Sequence, residues 1–202
     1  AADVIKGDPV AVLNRSLLGA CMRGRENSLG DFVTDAFRWA TGSDVAMTNS
    51  SSLRKGFRVF PGEPRTLREG DFKNMTPFQN RLVTGVVTGD QLMTILEGDA
   101  VHFVNQVSGV RYTMDAQKLR GQRVVHARID GKPVVADQTY ILTHNAYCAR
   151  PENMRTYLHL EPGHTRWKKT PLLDYEALIR YARQLKMIDY PTEGEGRIRY
   201  LP

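Results

Sequence analysis

The chain has 202 residues, of which 25% are charged, and a formal net charge of +6 at pH 7, so it is long enough for one large domain or two small ones with a real core. Its two cysteines, Cys21 and Cys148, exclude a disulfide framework and match no zinc-ligand spacing. We expect no membrane span, because no apolar run approaches the roughly 18 residues required, and no nucleic-acid partner, because no basic stripe is present.

The first predicted element follows a segment without a clear period. Residues 1–20 are interpreted as a linker or an N-terminal extension, whose apolar residues could form either a short strand or a helix. Asn27 is a favourable N-cap residue, and apolar residues then recur at helical spacing. The sequence therefore predicts an amphipathic helix over 28–40, which Gly42 ends.

The next elements surround a loop that is rich in turn residues. Residues 44–48 are predicted as a short strand that runs into a polar turn at 49–52. Two prolines and a glycine predict a loop over 55–70. A strand is predicted over 81–87, and Thr88 is expected to cap a helix that continues through Ala100 and Phe103.

The C-terminal part combines hairpin strands with a last helix. Strands are predicted over 107–114, 123–129 and 140–143, with Asp130-Gly131 as a hairpin turn. A helix is predicted from Pro171 through Leu185. Because strands and helices are interspersed and hairpins are present, the sequence predicts a mixed α/β domain.

Motifs for catalysis are not found in the sequence. The five histidines fall in no HExxH or DxH pattern, and the chain has no P-loop, GxGxxG, GxSxG or CxxC motif. We therefore predict no catalytic residue, no metal ligand and no cofactor in this chain.

Several arginines instead suggest that an anion is bound. Arg23 and Arg25 directly precede the predicted helix start, and Arg54 ends the polar turn at 49–52. A guanidinium presents a planar fork that matches phosphate oxygens, and a helix start adds free N–H groups. The pattern alone leaves open the alternative that these arginines only pair with acids at the surface.

Seven motifs, taken in order across about 21–198, resemble the C-terminal domain of the 5'-nucleotidase family. They lie at 23–31, 49–54, 76–80, 87–92, 109–115, 129–147 and 196–198. The family's N-G-G-G-I-R turn reads N-S-S-S-L-R here, and its L-P-F-G-N reads T-P-F-Q-N. The family's G-G-D-G-[FY], which contains an aspartate that binds ribose, is replaced at 148–154.

The resemblance implies a layered α/β/β/α domain over 21–202 and a substrate pocket. In that pocket two arginines would hold the phosphate, an asparagine would contact the base, and two aromatic rings would sandwich it. The implied pocket residues are Arg23, Asn49, Arg54, Phe78, Asn80 and Tyr147. Arg25 should matter less than Arg23. Cys21 and Cys148 should lie in one region, whether or not they are bonded.

The function implied is that of a nucleotide-binding and specificity domain of a 5'-nucleotidase-like metallophosphoesterase. Two divalent metal ions would lie on an N-terminal metallophosphatase domain, so the isolated chain is expected to be inactive. The resemblance also implies a periplasmic or extracellular location. Two alternatives remain: the C-terminal domain of a thiosulfohydrolase-like enzyme acting on a sulfur-oxyanion substrate, and a non-catalytic stand-alone binding module.

Overall fold

The computed structural model describes residues 7–20, 22, 24–102 and 105–201, which form three mixed sheets and five helices. The helices are α1 (Ser28–Thr41), α2 (Glu69–Met75), α3 (Gly89–Asp99), α4 (Pro151–Tyr157) and α5 (Asp174–Leu185), and Ser50–Ser52 form one 3-10 turn. The strands are β1 (Pro9–Leu13), β2 (Val45–Asn49), β3 (Arg65–Arg68), β4 (Arg81–Thr88), β5 (Asn105–Ser108), β6 (Val110–Asp115), β7 (Val124–Ile129), β8 (Lys132–Pro133), β9 (Thr139–Asn145), β10 (Trp167–Leu173), β11 (Met187–Ile188) and β12 (Ile198–Leu201).

The central sheet has five strands in the order β10-β4-β9-β2-β5. Strand β9 pairs antiparallel with β4 and parallel with β2. Every residue of β2 is buried: Ala46 packs into one apolar cluster, whereas Val45 and Met47 pack into the other. Because successive side chains of a strand point to opposite faces, this sheet is covered on both sides.

Two apolar clusters define the layers. On one face α1, α2 and α5 pack together with the three-stranded sheet β11-β1-β3. On the other face α3 packs with the four-stranded sheet β12-β6-β7-β8. The predicted mixed α/β class is confirmed. None of the helices formed by the described residues has the length and apolarity needed to cross a bilayer.

Helix ends were predicted best where a capping residue marks them. The side chain of Asn27 accepts a 2.8 Å hydrogen bond from the Gly30 N–H, and Gly42 ends α1 in the left-handed conformation at φ 66°. Thr88 forms a reciprocal capping box with Gln91 at the start of α3. That helix ends at Asp99 rather than continuing as predicted, and Phe103 lies outside the described residues.

Three further predictions of secondary structure were wrong, and one helix was missed. The predicted loop at 55–70 contains β3 and the start of α2, and α4 was not predicted. The predicted strand at 107–114 is two strands separated by Gly109, whose φ is 85° and where a side chain would collide with the Asp44 carbonyl oxygen. The last helix begins at Asp174 because Pro171 lies within β10, which pairs with β4.

Part of the segment predicted as a linker or extension is built into the fold. Strand β1 pairs with β3 and β11, and Leu13 and Leu17 are completely buried. Of the two conformations considered for the apolar residues of 1–20, the strand is the one found at Pro9–Leu13.

Candidate ligand-binding cleft

A cleft of about 400 Å³ opens where β2 and β9 end. It is lined by four chain segments, and the lining residues are Asn49, Ser51, Ser52, Arg54, Phe78, Asn80, Tyr147 and Tyr157. Five of the six residues predicted for the pocket therefore line one cleft. The sixth, Arg23, lies outside the described residues. Whether these residues bind a ligand stays a prediction.

The serine turn shapes the floor of the cleft without help from glycine. None of Ser50, Ser51 and Ser52 has a positive φ. The hydroxyl of Ser52 donates to the Asn49 carbonyl oxygen at 2.8 Å, and the Asn49 side-chain nitrogen donates to the Ser51 hydroxyl at 2.7 Å. Hydroxyl groups thus close the turn through local hydrogen bonds, and glycine is not required for this backbone conformation.

The side-chain amide of Asn49 has a fixed orientation. The Cys148 backbone N–H donates to Asn145 Oδ1 at 3.0 Å, so the nitrogen of the Asn145 amide faces Asn49 and donates to its Oδ1 at 2.9 Å. The oxygen of Asn49 is therefore directed inward. Its amino group has two hydrogens, of which one is used by Ser51, so an N–H donor remains at the cleft.

Two exposed aromatic rings belong to the cleft wall. Phe78 is 53% exposed and Tyr147 is 40% exposed, although most large apolar side chains of this domain are buried. The Arg54 guanidinium lies 5.0 Å from the centre of the Phe78 ring, and Arg150 lies 5.7 Å from the centre of the Tyr147 ring. Tyr157 packs edge-on against Tyr147 with 5.6 Å between the ring centres. Both rings thus have a neighbouring cation that favours their exposed position.

A buried polar layer lies beneath Asn145. His144 Nδ1 accepts the Asn145 backbone N–H at 2.9 Å, so the ring proton is on Nε2 and is donated to Asn105 Oδ1 at 3.0 Å. Burial lowers the pKa of His144 to about 3, which keeps the ring neutral. Asn105 donates in turn to the Tyr157 carbonyl oxygen at 2.7 Å and to the Asp99 carboxylate at 3.2 Å. The layer connects the β9 side of the cleft to the end of α4.

A second buried acid supports the rim at Asn80. The Asp174 carboxylate accepts the Asn80 backbone N–H at 3.0 Å, and the Asn80 carbonyl oxygen accepts the Asp174 N–H at 2.8 Å. Burial raises the pKa of Asp174 to about 6. Neither Asp174 nor Tyr157 was proposed from the sequence, and neither belongs to a motif that would have identified it.

Three residues of the motifs, Glu26, Asp31 and Arg197, lie in a structural cluster instead of the cleft. This carboxylate–arginine cluster consists of Glu26, Asp31, Asp35, Glu195 and Arg197. The Arg197 guanidinium is 2.7 Å from Asp35, 2.8 Å from Glu195 and 3.4 Å from Asp31. The Glu26 carboxylate accepts the Glu195 backbone N–H at 2.8 Å. The cluster joins the start of α1 to the segment before β12.

Arg25 and Cys148 are not among the residues that line the cleft. Arg25 lines a separate recess with Arg58 and Glu193. Cys148 is buried, its thiol donates to Asn49 Oδ1 at 3.3 Å, and burial raises its pKa well above the usual range. Cys21 lies outside the described residues, so its expected proximity to Cys148 stays a prediction.

Within the described ranges, no group of three or more His, Cys, Asp or Glu side chains is arranged to hold a metal ion. The polar groups at the cleft are amides, hydroxyls and a guanidinium. Amides, hydroxyls and guanidinium groups are suited to binding and orienting a ligand.

Comparison with known proteins gives a family and several relatives. The family described as "5'-nucleotidase, C-terminal domain" matches residues 9–155. The trifunctional nucleotide phosphoesterase protein YfkN of Bacillus subtilis is 27% identical over 201 residues, which covers 90% of this chain and 13% of that protein.

Solved structures share the fold. A 5'-nucleotidase precursor from Thermus thermophilus superposes with a TM-score of 0.83 at 25% identity, covering 99% of this chain and 41% of that one. The sulfate thiohydrolase SoxB of Thermus thermophilus gives a TM-score of 0.70 at 19% identity, covering 96% of this chain and 35% of that one. This chain therefore spans less than half the length of each of these relatives. With more than half of its residues matched to one family, the chain belongs to the 5'-nucleotidase C-terminal domain family.

Proposed function

We propose that this domain binds the substrate, a nucleotide, and sets specificity for a 5'-nucleotidase-like metallophosphoesterase. The observation that carries the proposal is the cleft, where two exposed rings, a guanidinium and a fixed amide donor come together from separate parts of the chain. The membership of the chain in a family whose members have an N-terminal partner domain supports the assignment of catalysis to that partner.

Stacking would supply much of the affinity for the base. Phe78 and Tyr147 are exposed in the free domain, so a flat ligand gains contact with both rings without unpacking the core. Stacking of a base on an aromatic side chain contributes about 1–3 kcal/mol. Arg54 and Arg150 already lie beside the two rings, which limits the motion lost on binding.

Asn49 would read the edge of the base. Its remaining N–H donor pairs with a ring nitrogen or carbonyl oxygen of the base, and the inward bonds to Asn145 and Cys148 prevent the amide from turning over. A base that presents only a donor at this edge would leave the amide unpaired, which costs about 1–3 kcal/mol.

Arg54 would contact the phosphate, together with Arg23 as the resemblance implies. Charge-assisted hydrogen bonds between guanidinium and phosphate are about 2.7–2.9 Å long and roughly twice as strong as neutral ones. Cleavage of the ester is assigned to two divalent metal ions on the N-terminal partner domain, which would supply a metal-activated water. In this proposal the domain is periplasmic or extracellular, and alone it does not hydrolyse p-nitrophenyl phosphate.

One observation favours the sulfur-oxyanion alternative. Where the family has an aspartate for ribose, this chain has α4, which places Tyr157 at the cleft, and no acidic side chain is among the described residues that line it. Carboxylates are a common means of binding ribose hydroxyls. A cationic cleft without an acid also suits a compact oxyanion.

Calorimetry with AMP, UDP-glucose, thiosulfate and sulfate separates these functions. We expect AMP to bind, and Phe78→Ala and Tyr147→Ala each to weaken binding by about 5- to 150-fold, the equivalent of 1–3 kcal/mol. Phe60→Ala is the matched control, since Phe60 is 71% exposed and lies outside the cleft wall. Binding of thiosulfate without any nucleotide would establish the alternative, and binding of none of the four ligands would overturn both.

A further inference from the structure

A basic groove lies on the outer face of the four-stranded sheet, away from the cleft. We define it by the residues that line it: Arg111, Tyr112, Thr113, His126, Arg128, Gly196, Arg197 and Arg199. Its volume is about 320 Å³, and it shares no lining residue with the cleft. The groove includes strands β6, β7 and β12, which carry none of the proposed substrate contacts.

The strand register brings like charges together on one face. Arg111 on β6 lies directly opposite Arg128 on β7. In the next row Thr113 is flanked by His126 on one side and by Arg199 on the other. Side chains directly opposite in neighbouring strands share a face, and like charges placed in this way destabilise a sheet. Neutralisation from outside the sheet would remove this repulsion.

The acidic side chains of the described residues neutralise these charges only in part, since Arg197 and Arg111 have carboxylate partners and Arg128 and Arg199 do not. None of the described residues that line the groove is acidic. Glu195 is 3.9 Å from Arg111 but lies closer, at 2.8 Å, to Arg197. Asp115, on the same face beyond Thr113, accepts the Gln117 N–H. Arg128 donates to the Gly131 carbonyl oxygen, which carries no net charge. Arg199 pairs with β6 through its backbone, and its guanidinium group makes no hydrogen bond or ion pair with the described residues.

We propose that the basic groove is a second anion site that takes a small diphosphate group. Adjacent strands lie about 4.8 Å apart, so the cations on β7, β6 and β12 extend over roughly 10 Å, a span suited to two linked phosphates rather than to a long polymer. The guanidinium groups of Arg128 and Arg199 have no carboxylate partner among the described residues, and such groups bind phosphate oxygens in a bidentate manner. The site is independent of the proposed function of the cleft.

The test is a titration of the full chain with inorganic pyrophosphate, followed by backbone amide NMR and calorimetry. We expect shifts at β6, β7 and β12, and a loss of affinity of about 10-fold or more in the double variant Arg128→Ala/Arg199→Ala. Arg180→Ala, at an exposed position of α5, should leave this binding unchanged.

Folding of the double variant is checked in the same experiment. Both arginines are exposed, and removing Arg128 relieves the repulsion with Arg111, so the melting temperature at low salt should not fall. Pyrophosphate should raise the melting temperature of the wild type and of Arg180→Ala but not that of the double variant. Equal affinity in the double variant, shifts confined to the cleft, or no binding at millimolar pyrophosphate would each overturn the proposal.

Discussion

The cleft and the carboxylate–arginine cluster both contain motif residues, yet their arginines lie in opposite environments. In the cluster, Arg197 is only 4% exposed and contacts three carboxylates. In the cleft, Phe78 and Tyr147 are open to solvent beside Arg54 and Arg150. Buried charges must be paired to be tolerated, whereas exposed rings beside cations are available to a ligand. A motif residue therefore has to be located in the fold before it is assigned to binding or to stability.

The variant expected to lose the most stability removes the cation of the carboxylate–arginine cluster. Arg197→Met keeps much of the side-chain volume but leaves the carboxylates of Asp35 and Glu195, 2.7 Å and 2.8 Å from the buried guanidinium, without their cation. Removing one partner of a buried ion pair costs about 3–5 kcal/mol, so the free energy of unfolding in urea should fall by that amount. AMP affinity per folded molecule should be unchanged.

Arg111→Met is the matched control for this variant. Arg111 has a side chain that is 60% exposed and lies 3.9 Å from the same Glu195. An exposed ion pair contributes at most about 1 kcal/mol. Equal losses of stability in the two variants would show that burial of the charge is not what makes Arg197 important.

Asn145→Ala tests a residue that contributes both to the stability of the fold and to the geometry of the cleft. It would leave the Cys148 N–H unpaired and Asn49 Oδ1 with only the weak Cys148 thiol donor, and an unpaired buried polar group costs about 1–3 kcal/mol. We expect both the free energy of unfolding and AMP affinity to fall, the latter because the Asn49 amide is free to turn. Asn74→Ala, at an exposed position of α2, is the control, and an Asn145 variant that binds AMP normally would contradict the role given to Asn49.

The pH dependence of stability tests whether His144 is neutral in the buried layer. With a pKa of about 3 in the fold and about 6.5 in the unfolded chain, the unfolded state takes up a proton first as the pH falls. The contribution of His144 to stability therefore declines below pH 6.5, by about 2 kcal/mol between pH 7 and pH 5.

The protonation state of the His144 ring is a more direct measurement than the change in stability. Burial raises the pKa of Asp174 to about 6, so that carboxyl group favours the folded state as the pH falls and partly masks the change in stability. Nitrogen NMR of the His144 ring should show the neutral form with the proton on Nε2 at pH 5. Protonation of this ring near pH 6 would contradict the hydrogen-bond pattern with Asn145 and Asn105.

The smallest effect concerns the turn that carries Phe78. Gln79 has a φ of 51°, a left-handed conformation that costs a non-glycine residue roughly 1–2 kcal/mol. Gln79→Gly should therefore raise the free energy of unfolding by about 1 kcal/mol, as measured in urea. Gln138→Gly is the control, because Gln138 has no positive φ and glycine there should be neutral or destabilising; the same result in both variants would refute the strain at position 79.

The sequence predicted elements with local end signals and missed those that depend on distant partners. Helix α1 was predicted within one residue because Asn27 and Gly42 mark its ends. The start of the last helix was wrong because Pro171 is typical of a first helical turn, whereas here it lies where the pairing of β10 with β4 becomes irregular. Such pairing is set by contacts that no local pattern contains.

The same distinction holds for the cleft. Asn49, Phe78 and Tyr147 were identified through motifs, because each occupies a characteristic short sequence. The hydrogen bonds of the buried polar layer next to the cleft were not predictable, because His144 and Asn105 are 39 residues apart and Asn105 and Tyr157 are 52 residues apart. Only the fold brings these groups together, and no spacing in the sequence indicates it.

We propose that the nucleotide binds in the cleft, and not at the cluster or the basic groove. The most direct test is a crystal structure of this domain with AMP. We expect the base to lie between Phe78 and Tyr147, its edge on the Asn49 amide, and the phosphate on the side of Arg54. A base bound elsewhere on the domain, with both rings still exposed to solvent, would contradict it.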